Sequence, residues 1–137
     1  MEFRYHLHQI NEAVAFVENN TAHSIICFNG PMGSGKTTLI SSLCKKWKVT
    51  DPVSSPTFSL VNHYESPSKG SIFHFDFYRL NHPDEALDFG VNEYLDNPNP
   101  CLIEWGERIE KLLPIARSSV DLQINEDQSR TLRITNR

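Results

Sequence analysis

Apolar and polar positions alternate along the chain with two periods, and the changes between them outline the elements. Phe3, Tyr5 and Leu7 alternate with polar neighbours, the two-residue period of a short edge strand. Ile10, Ala13, Val14 and Val17 then fall on one face of a helix over residues 11–18, which Asn19 and Asn20 close. Residues 24–29, Ser-Ile-Ile-Cys-Phe-Asn, form a nearly continuous apolar run, the mark of a strand covered on both faces. Helical spacing returns over residues 39–46 and runs out at Lys45, Lys46 and Lys48, cations suited to a helix C-terminus.

Residues 53–58 are polar, and their proline and hydroxyls favour an extended loop. Residues 60–64 and 71–76 read as two strands joined by a turn, a hairpin that places an antiparallel pair in an otherwise parallel sheet. Asn81-His82-Pro83-Asp84-Glu85 opens a helix with a capping Asn or His, a proline in the first turn and acids at the positive end. Gly90 stops it, and residues 91–95 make one more turn. After a loop over residues 96–100 comes a short buried strand, residues 101–104, ending in Glu104. Residues 107–113 are expected to be helical up to Pro114, and residues 119–124 and 131–135 to form a closing hairpin.

Between the buried strand and the second helix lies Gly30-Pro31-Met32-Gly33-Ser34-Gly35-Lys36-Thr37-Thr38, which reads G-x-x-x-x-G-K-T. Strand, glycine loop and helix in that order are the context of a phosphate-binding loop. Glycines let backbone N–H groups approach an anion without a Cβ in the way, and the helix adds free N–H groups and the positive end of its dipole. Lys36 is placed to reach β- and γ-phosphates, and the Thr37 hydroxyl to ligate magnesium. The bland reading, a glycine turn that happens to end in Lys-Thr, needs the flanking elements to agree by coincidence.

Hydrolysis requires acids at strand ends. Residues 72–76 are an apolar strand ending in Asp76, the Walker B pattern of a magnesium-holding acid; the plain alternative is an Asp that terminates a strand. Glu104 ends a second apolar strand, and ligands of parallel α/β sheets gather at the carboxyl ends of strands. It could orient or deprotonate a water, or complete a magnesium shell. Trp105 reads as core, or as a shield for the site or a partner surface. Thr57 follows the second helix where switch proteins place a hydroxyl that senses the γ-phosphate, although Ser54, Ser55 and Thr57 alone are ordinary turn residues. His74 shares a strand with Asp76 and is a candidate supporting group.

The 137 residues fit one domain, residues 1–137, of α/β class. The formal charge of −4 provides no basic field for nucleic acid. No apolar run approaches a membrane span and no signal-peptide core is evident, so the cytoplasm is expected. Cys27, Cys44 and Cys101 have no metal-ligand spacing and read as buried thiols of a reducing compartment. A small-molecule kinase would want an arginine-rich lid, but only Arg79 and Arg108 lie between Pro56 and Pro114. A nucleotide switch without hydrolysis is opposed by the two strand-end acids.

Four stretches together resemble the bacterial TsaE (YjeE) family. They are the glycine loop, Ser55-Pro56-Thr57-Phe58-Ser59-Leu60-Val61, His74-Phe75-Asp76-Phe77-Tyr78-Arg79-Leu80 and Leu102-Ile103-Glu104-Trp105. The resemblance runs from the first helix to about Leu113, with departures at Pro31-Met32 and at Gly106, where a proline is common. It implies a three-layer P-loop NTPase fold with a mixed, mostly parallel sheet and antiparallel hairpins. It also implies an ATPase, binding ATP or ADP with magnesium, that supports threonylcarbamoyladenosine modification of tRNA. TsaB and TsaD would be its partners, with tRNA touched only through them. Carried over by motif, residues 30–38 would bind nucleotide with Lys36 on phosphate. Thr37, Thr57, Asp76 and Glu104 would face magnesium, and Glu104 with Trp105 would form the hydrolytic pair. The segment near His6 to Asn11 and the hairpin near Arg130 are candidate base contacts by chain position alone.

Overall fold

The computed structural model describes residues 1–56 and 60–137. Its single sheet has the strand order β1-β7-β6-β2-β5-β4-β3, built from β1 (Glu2–Tyr5), β2 (Ile25–Asn29), β3 (Val61–Ser66), β4 (Gly70–Asp76), β5 (Cys101–Glu104), β6 (Ser118–Ile124) and β7 (Arg130–Asn136). β2 is central and pairs in parallel with β5 and β6, and β5 pairs in parallel with β4. β3 on β4, β7 on β6 and β1 on β7 are antiparallel, so only β3 and β7 oppose the common direction. The mixed, mostly parallel α/β sheet with two hairpins is therefore as expected.

The apolar run of β2 divides by strand alternation. Ile26 and Phe28 join one core with α1 (Ile10–Asn20) and α2 (Lys36–Lys46), through Val14, Val17, Leu39 and Leu43. Ile25 and Cys27 join a second core on the opposite face with α3 (Pro83–Asp88) and α4 (Val91–Leu95), through Ala86, Val91 and Leu95. Helices on both faces make three layers and explain why β2 and β5 carry almost no polar residues. Cys27, Cys44 and Cys101 are buried free thiols, and burial pushes each up to about 12.

Element ends follow local chemistry. His82 caps α3, its Nδ1 accepting from the Asp84 N–H at 3.2 Å, with Pro83 at the first helical position. Gly90, at φ +89°, separates α3 from α4. The helix expected over residues 107–113 is present in a tighter form. Residues 107–113 do not form an α-helix: Gly106–Leu112 is 3-10, interrupted by non-helical backbone at Ile109. Trp105 enters in the left-handed region at φ +59°, and Leu113 is extended, as the residue before a proline tends to be. Among the described residues no helix is long and apolar enough to cross a membrane.

Candidate active site

The glycine loop leaves the C-terminal end of β2 and enters α2 at Lys36. Gly35 stands at φ +100°, a conformation that side chains rarely adopt. A Cβ on Gly30 would lie 2.7 Å from Ser34 Oγ and 2.9 Å from the Leu122 carbonyl, so the loop needs glycine there to close on itself. The Leu39 N–H bonds the Gly35 carbonyl at 2.9 Å, leaving the N–H groups of Lys36, Thr37 and Thr38 ahead of the first helical bond. Arg130, far along the chain on β7, grips the outer side of the loop. Its Nε donates to the Ser34 carbonyl at 3.0 Å and an Nη to the Gly33 carbonyl at 3.4 Å. Carbonyls thus turn toward Arg130, which favours N–H groups toward the cleft.

A cleft of about 310 Å³ opens in front of these N–H groups. Met32, Gly33, Ser34, Gly35, Lys36, Thr37 and Thr38 line one side, with Ser55, Asp76, Tyr78, Glu104 and Trp105 opposite. Parallel register does this: Asp76 of β4 pairs with Glu104 of β5, so the two carboxylates stand side by side at the strand ends. Gly30 and Pro31 shape the loop but do not line the cleft. Thr57 lies outside the described residues.

Lys36 is almost fully buried; its Nζ donates to the Gly30 carbonyl at 2.7 Å and sits 3.9 Å from the centre of the Trp105 indole. Burial pulls its pKa down, opposed by the charges of Glu104, Glu107 and Asp76. The left-handed turn at Trp105 brings the indole over the ammonium, with Tyr78 packed on the ring at 4.9 Å and Arg108 beside both. Trp105 therefore roofs the lysine while also packing against the second core.

Glu104 is 3 % exposed and accepts on both oxygens. Thr37 Oγ1 donates to Oε1 at 2.8 Å, while His74 Nε2 at 2.7 Å and Ser55 Oγ at 3.2 Å donate to Oε2. Burial alone would push this carboxyl up, but the His74 hydrogen bond and charge and the two hydroxyls hold it below the usual range. Asp76 moves the other way: burial and then the Glu104 charge outweigh the Tyr78 N–H that bonds its Oδ1 at 2.9 Å.

Thr37, Ser55, Asp76 and Glu104 offer hard oxygen ligands. Among the described residues no cluster of three or more His, Cys, Asp or Glu side chains could hold a metal alone. Two acids and a hydroxyl beside an anion cradle suit magnesium, which keeps waters and shares its shell with phosphates. A cation there would also favour the ionised Asp76 that burial, and then the Glu104 charge, oppose.

Lys36, Thr37, Asp76, Glu104 and Trp105 thus line one cleft. Ser55, read from sequence as a turn residue, and Tyr78 were missed; nothing local distinguishes them. A second cavity of about 200 Å³ adjoins the loop, lined by Tyr5, Leu7, Ile10, Gly33, Ser34, Gly35, Thr38, Gln128 and Arg130. It gathers the two segments that chain position had suggested for a base.

The family model described as "Threonylcarbamoyl adenosine biosynthesis protein TsaE" matches residues 5–133. The "tRNA threonylcarbamoyladenosine biosynthesis protein TsaE" of Rickettsia bellii is 37 % identical over 127 residues, covering 92 % of this chain and 87 % of that protein. Its namesake from Aquifex aeolicus is 38 % identical over 112 residues, covering 80 % and 75 %. Among solved structures, Bacillus subtilis YdiB superposes with a TM-score of 0.79 over 99 % of this chain and 84 % of that one; at 23 % identity it supports the P-loop fold. With a family match across nearly the whole chain and relatives this similar, the protein belongs to the TsaE family.

Proposed function

We propose that the chain is a magnesium-dependent P-loop ATPase of tRNA threonylcarbamoyladenosine biosynthesis, hydrolysing ATP to support or reset a TsaB–TsaD transfer complex. The names of its relatives support the pathway. The observation that carries the chemistry is the meeting of Lys36, Thr37, Asp76 and Glu104 in one cleft at the mouth of the glycine loop.

In this reading the N–H groups of residues 33–38 and the Lys36 ammonium bind the β- and γ-phosphates. Thr37, Asp76 and Glu104, with Thr57, are the residues that would hold magnesium, which supplies charge neutralisation on the phosphates when bound. Thr37 can give a lone pair to a cation while its O–H still donates to Glu104. Glu104, with donors on both oxygens, is a weak proton acceptor, which favours orienting Thr37 and the attacking water over deprotonating it. Trp105 and Tyr78 limit water around Lys36. The neighbouring cavity between Tyr5, Ile10 and Arg130 is of a position to take the base of ATP or ADP. The net charge of −4 suits a protein that meets tRNA only through its protein partners.

The test is phosphate release from ATP with magnesium, with and without TsaB and TsaD. Release that the partners stimulate is expected. Transfer of the γ-phosphate to a nucleoside or other small acceptor would replace the ATPase with a kinase.

A further inference from the structure

The hydrogen bonds on Glu104 continue away from the cleft and return to it. His74 donates to Glu104 through Nε2, and its Nδ1 is 3.1 Å from the Tyr64 hydroxyl. That hydroxyl lies 3.1 Å from the Ser54 carbonyl, which also accepts from Asn62 Nδ2 at 2.9 Å. Ser55, the next residue, donates back to Glu104. The result is a closed ring through β5, β4, β3 and the loop that follows α2.

Strand register builds the ring. His74 and Asp76 point to the same face of β4, the face that also carries Glu104 from β5 and Asn62 and Tyr64 from β3. The rest of that face is apolar, packed with Phe28, Ile72 and Leu102. An imidazole and a phenol placed there, 0 % and 3 % exposed, cost desolvation that an aliphatic pair would avoid. Neither His74 nor Tyr64 lines the cleft, so neither touches a ligand bound in it.

We propose that His74 and Tyr64 are positioning residues for turnover, forming a strut that fixes the Glu104 carboxylate relative to the Ser54–Ser55 loop. The proposal rests on the phosphate-cleft reading above. Because both side chains are buried, water cannot take the place of a missing member, and the ring acts as a unit. A gap at Tyr64 frees His74 to turn, and a gap at His74 leaves the Tyr64 hydroxyl on the Ser54 carbonyl but cuts it off from Glu104. The two side chains should therefore be coupled in rate while nucleotide affinity, set by the glycine loop, stays as it is.

The experiment measures single-turnover ATP hydrolysis and mant-ADP binding, with magnesium, on the full chain and on Tyr64→Phe, His74→Gln and the double variant. Tyr64→Phe removes one hydroxyl, and His74→Gln keeps an amide donor for Glu104 while losing the reach to Tyr64. Each single change should slow hydrolysis about five- to ten-fold with the mant-ADP Kd within two-fold of the parent. Adding Tyr64→Phe to His74→Gln should slow it by less than a further two-fold. Parent-like rates, multiplicative slowing in the double variant, or affinity falling in step with rate would each overturn the strut. If His74→Gln does not fold, Tyr64→Phe decides alone. A parent chain that neither binds mant-ADP nor hydrolyses ATP would overturn the phosphate-cleft reading and the strut with it, whereas an active parent with unaffected variants overturns the strut only.

Discussion

The Thr37 hydroxyl donates to Glu104 Oε1 at 2.8 Å, tying the first turn of α2 to the end of β5 across 67 positions of sequence. The hydroxyl that a P-loop aims at a metal is thereby oriented by the acid of a different strand. In the proposed reading, nucleotide binding and turnover would rest on different residues of this one cleft.

If the cleft holds nucleotide as proposed, Lys36 is the residue on which binding should depend. Its ammonium is the cation buried at the loop, and hydrogen bonds to charged groups contribute roughly 1.5–3 kcal/mol. Lys36→Ala should weaken ADP binding about ten-fold or more by titration calorimetry. Unchanged affinity would remove the lysine from the site.

On the same proposal, Glu104 is the residue on which turnover should depend. Loss of an orienting group at a reacting centre costs on the order of a hundred-fold in rate. Glu104→Ala should slow phosphate release by about that factor while ADP affinity stays within about three-fold. Equal, mild losses in both would reassign Glu104 to structure.

Arg130 holds the carbonyl side of the loop and borders the proposed base cavity. Arg130→Ala should therefore weaken ADP binding about ten-fold, a charged hydrogen-bond donor having been removed. Arg130→Lys should not restore it, since an ammonium lacks the fork that reaches both carbonyls. Recovery by lysine would show that charge alone suffices.

The three thiols yield a pH prediction. Burial raises each from an ordinary 9.0 to about 12, so the folded chain keeps protons that the unfolded chain releases. Their contribution to stability is full below about pH 9 and is lost as pH rises from about 9 to about 12. Urea midpoints should fall across that window, and Ellman's reagent at pH 8 should react with no thiol until the protein is unfolded. Rapid labelling of the native chain would contradict the burial.

Much of this was legible in local pattern. The G-x-x-x-x-G-K-T loop, the acids ending residues 72–76 and 101–104, and the cap at His82 are written in neighbouring residues whose spacing fixes their geometry. The rest depends on pairing between distant segments. The side-by-side placement of Asp76 and Glu104 follows from β4 and β5 being neighbours, which no periodicity reveals. Arg130 reaches the loop because β7 folds back on β6 beside β2. Tyr64 and Ser55 look ordinary until β3 and the loop after α2 close around His74. Residues 107–113 have helical spacing, but the chain enters them through the left-handed turn at Trp105 and leaves helical backbone at Ile109, so they form 3-10 turns.

The most direct measurement is a crystal structure with magnesium and a non-hydrolysable ATP analogue. The phosphates should lie against the N–H groups of residues 33–38 and Lys36, with the metal on the Thr37 hydroxyl beside Asp76 and Glu104. An analogue bound elsewhere, with this cleft holding only solvent, would contradict the assignment.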